Sequence, residues 1–207
     1  MSLSQNNEEE IIGSHFGKYV GTLLSIGENS GMDLSNVFGL IEKGWSGDLI
    51  EPSPQVFPAL CNLHQYNTKV HCYELAIGDR IAMVTLFDSG ELLGRGDRAL
   101  VSSVCVEETK RWESLNMPFS EVEVKMVTFR KFMEDYAQFK TYDLISIDAE
   151  GMDLVILRQM ELDQLGCKCL VIEHNSLPAV VASIRDYCLP YGFKEIGYNA
   201  ENIILAR

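Results

Sequence analysis

Positive charge is scarce in this chain. Lys and Arg total 17 against 30 Asp and Glu in 207 residues, a formal net charge of −13. Such a surface repels a phosphate backbone and an anionic bilayer, so neither nucleic acid nor membrane is an expected partner. Long apolar runs are missing too: none approaches the roughly 18 residues of a membrane-spanning helix. The opening MSLSQNNEEE lacks the basic stretch and following apolar stretch of a secretory leader. Residues 1–14 are therefore expected to be a flexible segment ahead of a domain over 15–207, and the expected location is cytoplasmic. None of the six cysteines forms a CxxC pair, and Cys167-x-Cys169 has no second pair to complete a tetrahedral zinc site. Reduced, mostly buried thiols are expected.

What is present is an ordinary globular composition, 46% hydrophobic and 23% charged, which argues against extended disorder. Short apolar strands alternate with amphipathic helices, the pattern of βαβ units and a mainly parallel sheet. Strands are predicted at Val20–Ile26, Leu49–Ile50, Val70–Ile77, Ala82–Phe87, Val122–Val127, Tyr142–Ile147 and Cys169–Ile172. A final pair near Phe193–Ile196 and Asn202–Leu205 reads as an antiparallel hairpin. Helices are predicted over Asp33–Lys43, around Val56–Leu63, over Phe129–Tyr136, around Leu154–Leu157 and over Ala179–Tyr187. Residues 89–118 carry three glycines and little apolar periodicity, and read as a substrate-side loop with one short helix near Glu107–Leu115. The fold class is α/β: a doubly wound, mainly parallel, Rossmann-like sheet ending in an antiparallel hairpin.

Ligands of open parallel sheets bind beyond the carboxyl ends of the strands. The first strand is followed by Gly27-Glu28-Asn29-Ser30-Gly31, whose glycines permit a tight turn and close approach of a ligand. Glu51, twenty residues past Gly31, can accept hydrogen bonds from ribose hydroxyls; alternatively it is a carboxylate opening a helix. A nicotinamide dinucleotide is the competing ligand. Its GxGxxG loop needs a glycine where Asn29 stands, and Glu28 beside it repels a pyrophosphate but not a sulfonium or an ammonium.

Several segments in this order carry a resemblance: LLSIGENSG (23–31), LIEPSPQVFPAL (49–60), ELAIGDR (74–80), VEVKMVTFRKFMED (122–135), YDLISIDAEGMDLVIL (142–157) and YGFKEIGYNAENIILAR (191–207). The chain resembles the FkbM family of S-adenosylmethionine-dependent methyltransferases over about 20–207, with Ile147-Asp148-Ala149-Glu150-Gly151 the most telling piece. The resemblance implies a class I methyltransferase fold, S-adenosylmethionine as cofactor, and oxygen as the acceptor atom. It places Gly27, Glu28, Asn29, Gly31, Glu51, Pro52, Ile77, Gly78 and Asp148 at the cofactor. Related enzymes carry an acid where this chain has Ser25, and Glu28 is the candidate to replace it opposite the donor's ammonium.

Asp148 and Glu150 follow the strand where donor and acceptor meet, and either carboxylate can serve as general base; Asp148 can equally order its loop or cap the next helix. His174, after the next strand, is a third candidate base. Glu173, His174 and Asn175 with Asp148 also have the donor types of a metal site, or they simply line the pocket; no metal is assigned. Arg95 and Arg98 are candidates to hold an anionic group of the acceptor. Met32, Met83, Met126 and Met152 read as core filler. The expected activity is O-methylation of a hydroxyl on a small molecule or sugar. A non-catalytic adenosine-binding module and, more remotely, a nicotinamide-dependent oxidoreductase are the alternatives.

Overall fold

The computed structural model of the chain describes residues 4–94 and 96–207. Among them the strands are β1 (Thr22–Ile26), β2 (Ser46–Ile50), β3 (Val70–Tyr73), β4 (Ala76–Gly78), β5 (Ala82–Ser89), β6 (Phe119–Thr128), β7 (Leu144–Ile147), β8 (Cys169–Glu173), β9 (Lys194–Tyr198) and β10 (Asn202–Ala206). The α-helices are α1 (Glu8–Phe16), α2 (Phe38–Glu42), α3 (Phe57–His64), α4 (Val106–Thr109), α5 (Phe129–Asp135), α6 (Asp153–Leu157) and α7 (Pro178–Cys188). No described helix is long and apolar enough to cross a membrane.

Seven strands form one sheet in the order β3-β2-β1-β7-β8-β10-β9. The first five are parallel, and β10 runs antiparallel to both β8 and β9. This is the doubly wound, mainly parallel sheet with a C-terminal hairpin that the alternating pattern implies. Its central strands are apolar throughout because both faces are covered, and the two-residue repeat divides their side chains between two cores. Leu24, Ile26, Ile145, Ile147, Leu170 and Ile172 pack with Phe132 of α5, Ile156 of α6 and Ile184 of α7. Leu23, Leu49, Leu144 and Val171 pack with Ile12 of α1, Ile41 of α2 and Leu60 of α3.

Three sequence expectations are corrected. The segment read as frayed is helical from Glu8, and Ile12 is fully buried. Its acids are contacts rather than solvated charges: Glu8 accepts from Asn199 and Asn202 side chains, and Glu9 accepts from the Gly39 amide. The predicted helix Asp33–Lys43 shrinks to Phe38–Glu42, because Leu34 has φ 62 and Ser35 is diverted, its Oγ accepting from the Val37 and Phe38 amides. The single strand predicted over Val70–Ile77 breaks after Tyr73. Its second half, β4, leaves the main sheet and joins a smaller one in the order β4-β6-β5.

Candidate active site

The strand order reverses between β1 and β7, and a cleft opens at the carboxyl ends of the strands there. The loops after β1 and β7 pass so closely that only glycine fits at position 27. Gly27 has φ +81, and a Cβ on it would lie 1.7 Å from the Asp148 carbonyl oxygen. The Gly27 and Glu28 amides both donate to the Ile50 carbonyl, and the Asp148 amide donates to that of Ile26. The three strand ends are thereby fixed relative to one another before any side chain is considered.

Glu28 turns back beneath this loop and is 4% exposed. Ser25 Oγ donates to its Oε2, and Ser35 Oγ donates to its Oε1 at 2.6 Å. The carboxylate so lies within hydrogen-bond reach of Ser25, the position whose expected acid it is the candidate to replace. Burial pushes its pKa up to about 7 against the pull of the two hydroxyls. Glu51, at the end of β2, is equally buried and bridges two loops, its Oε2 accepting from the Asn29 amide at 2.8 Å and its Oε1 from the Ser53 amide at 2.7 Å. Burial again raises its pKa to about 7, and the charges of Asp88 and Glu28 add to the effect. A carboxylate has about four acceptor sites, so Glu51 retains capacity for further donors.

Across the cleft stand Asp148, Glu150 and Glu173. Loss of hydration, then the charges of Asp153 and Glu201, raise Asp148 to about 8. Glu150 and Glu173 are pushed well above the usual carboxylate range by burial and next by the charge of Asp148. Glu150 is held at φ 45, in the left-handed region. None of these carboxylates, nor Glu28 or Glu51, makes a salt bridge among the described residues. Asp153 below them is engaged, accepting from the Ala149 and Gly151 amides.

Segment 89–118 forms one wall, through Leu92, Leu93, Ala99–Ser102, Val104 and Trp112. It contains α4 and a 3-10 turn where the short helix is predicted. Ser103 Oγ donates to the Glu150 carbonyl at 2.6 Å in the interior, and Asn29 Nδ2 donates to the Arg98 carbonyl at 2.9 Å on the surface. A buried hub joins this wall to the donor side: Asp88 accepts from Ser53 Oγ and from Ser102 Oγ.

Of the residues expected at the site, Gly27, Glu28, Asn29, Glu51, Pro52, Ile77, Asp148 and Glu150 line the cleft together. Gly31 does not; it packs toward Leu60 and Leu63 of α3, where its missing Cβ makes room for the helix. Gly78 packs on Met126 instead, and its carbonyl accepts from Gln159. His174 also stays outside the cleft lining. Its ring is 1% exposed, stacks on Tyr198 at 4.9 Å and accepts the Ser176 amide at Nδ1, while its Nε2 is buried with no hydrogen-bond partner among the described residues. Asn175 does reach the lining, but its Oδ1 accepts from Arg111. Arg98 is bonded to Gln55, and Arg95 lies outside the described residues. Sequence reasoning missed Ser35, Asn36, Ser146, Trp112 and the Asp88 hub, all polar or aromatic residues whose role comes from packing at a distance in sequence.

The residues suit the family's usual cofactor: a glycine cradle and a set of carboxylates lacking counter-charge match a ligand with a sulfonium and an ammonium. No curated protein sequence matches the chain significantly. Among solved structures it is similar to a ribosomal protein L11 methylase from Lactobacillus delbrueckii subsp. bulgaricus, with 9% identity, TM-score 0.51, and coverage of 97% of this chain and 77% of that one. It is also similar to a putative RNA methyltransferase from Pyrococcus horikoshii, with 11% identity, TM-score 0.51, and coverage of 98% and 83%. At these identities the likeness speaks to the fold, which is that of class I S-adenosylmethionine-dependent methyltransferases. Residues 25–198 match the family model described as the methyltransferase FkbM domain, and the chain belongs to that family.

Proposed function

We propose that this chain moves a methyl group from S-adenosylmethionine to a hydroxyl of a small molecule or sugar. The observation that carries the reading is the convergence of Glu28, Glu51 and Asp148 on one cleft at the reversal of strand order, with no basic side chain paired to them among the described residues. When bound, S-adenosylmethionine supplies a methyl already activated by its positive sulfur. Glu28, seated on Ser25 and Ser35, faces the donor's ammonium end. Glu51 orders the loops after β1 and β2 and accepts from the ribose. Ile77 and Pro52 supply apolar wall beside it.

Asp148 takes the proton as the hydroxyl oxygen bonds to the methyl carbon and the carbon–sulfur bond breaks. Alignment of acceptor and methyl by the wall 89–118 supplies the rest of the acceleration. The net charge of −13 and the acid-lined cleft favour a small uncharged acceptor over nucleic acid.

Calorimetry with S-adenosylmethionine, S-adenosylhomocysteine and NAD, followed by a radiolabelled transfer screen over polyols and sugars, tests the reading. Binding of the first two ligands with transfer to a hydroxyl supports it. Binding without transfer to any acceptor class points to a non-catalytic adenosine module, and binding of NAD alone overturns both.

A further inference from the structure

We infer that Asp148, Glu150 and Glu173 hold a divalent cation of the oxygen-seeking class to which Mg²⁺, Mn²⁺ and Ca²⁺ belong. Asp148 and Glu150 come from the loop after β7, and Glu173 ends β8; each offers a carboxylate oxygen, and these oxygens lie within 4.8 Å of one another. Oxygens on opposite sides of Mg²⁺ are separated by about 4.2 Å, and on opposite sides of Ca²⁺ by about 4.6–5.2 Å. The three side chains therefore stand close to the coordination sphere they would complete.

The acids alone are not the argument. Glu150 and Glu173 are 8% and 5% exposed, and one oxygen of each is buried with no hydrogen-bond partner among the described residues. Leaving a buried acceptor unmatched is costly, and a folded protein tolerates it chiefly where a ligand completes the set. Protein groups among the described residues do not complete it. Arg111 is the basic group whose charge both glutamates feel, yet its guanidinium is committed, donating to Glu108 at 2.6 Å and to Asn175 at 2.9 Å. An all-carboxylate donor set with no sulfur or imidazole selects hard cations over zinc or copper. Three protein oxygens leave about three positions of a six-coordinate ion for water or for oxygens of an acceptor. His174 and Asn175, the neighbours that the sequence brings forward as ligands, take no part.

The inference stands on these carboxylates and does not require methyl transfer; with the cation bound, Asp148 is a ligand, and loss of transfer on chelation with recovery on added Mg²⁺ would replace the base role given to it above. It is tested on the full chain, freed of metal with a chelator, by titrating Mn²⁺ and following the free-ion signal by electron paramagnetic resonance. The expected result is about one Mn²⁺ per chain with a dissociation constant below about 1 mM, displaced by Mg²⁺ or Ca²⁺. Glu150→Gln and Glu173→Gln are each expected to weaken it by about tenfold or more, while Glu161→Gln, on an exposed residue, leaves it unchanged. Because both variants relieve repulsion, their metal-free melting temperatures should equal or exceed that of the parent, and the Mn²⁺-induced rise should vanish. No binding by the parent chain, or equal binding by parent and variants, overturns the site. Displacement of Mn²⁺ by S-adenosylmethionine but not by S-adenosylhomocysteine also overturns it, since the carboxylates would then serve the donor's positive charge.

Discussion

Two sets of buried carboxylates meet opposite fates in this molecule. Asp48, in the middle of β2, has no exposed surface, yet Tyr142 Oη donates to it at 2.6 Å, Tyr73 Oη at 3.1 Å and the Gln138 amide at 3.0 Å. Glu150 and Glu173, at the strand ends, receive no donor on their inner oxygens. The first set closes the core beneath the sheet. The second is held in place by the surrounding fold, at a cost, and is available for a ligand. A buried acid is thus informative only together with its donors, and the pairing separates structural from functional acids better than burial does.

The largest effect that would sharpen this contrast is kinetic. Asp148→Asn should lower the methyl-transfer rate by roughly 10²–10⁴-fold while leaving S-adenosylmethionine affinity within a few-fold, as single-turnover radiolabel transfer would show. A near-full rate would move Asp148 to the structural class with Asp48. Next comes stability. Asp48→Ala takes the acceptor from the buried Tyr142 hydroxyl and one of two from Tyr73, and should lower the unfolding free energy by about 3–5 kcal/mol in urea titration. Glu173→Gln, by contrast, should leave it unchanged or raise it by about 1 kcal/mol; a large loss there breaks the comparison.

The pH dependence of stability gives a smaller signal, of about 1–3 kcal/mol per group. Glu28 and Glu51 have folded pKa values raised to about 7, above their unfolded values near 4.5. The folded state therefore holds their protons more tightly between those limits. Their contribution is fully present below about 4.5 and is lost as pH rises through about 7. The ligand-free melting temperature should fall from pH 5 to pH 8, and Glu51→Gln should flatten that slope; a rising curve would contradict the assignment. Glu51→Ala should also weaken S-adenosylmethionine at least about tenfold by calorimetry. The smallest effect is a preference: Glu28→Gln should weaken S-adenosylmethionine a few-fold more than adenosine, which lacks the ammonium, and equal losses would detach Glu28 from the amino-acid end.

Periodicity and strand-end position made most of this legible in sequence. The runs ending at Ile26, Ile50, Ile147 and Ile172 are strands, and Glu28, Glu51, Asp148 and Glu150 do meet in one cleft. What was not legible depends on contacts between distant segments. Leu34 fits a helical stripe yet sits at φ 62, because the preceding chain is needed to carry Ser35 under Glu28. Val70–Ile77 is uniformly strand-like, and only the pairing of Ala76–Gly78 with β6 breaks it. Met126 and Met152 are core as expected, whereas Met32 and Met83 are exposed, since composition cannot assign a face. His174 has the right chemistry and address, but its ring stacks on Tyr198 and is not among the residues lining the cleft.

Two ties of the wall 89–118 differ in kind, one buried and one exposed. Ser103 is anchored in the interior on the Glu150 carbonyl, whereas the Asn29–Arg98 and Arg98–Gln55 bonds are exposed. Each exposed bond contributes only about 0.5–1.5 kcal/mol, so the tie at Arg98 opens more readily than the buried one at Ser103. The wall then behaves as a door hung on Ser103 and latched at Arg98. Amide exchange should accordingly be slower at Ser103 and Cys105, whose amides donate to the Phe87 carbonyl and to Ser103 Oγ, than at Arg98.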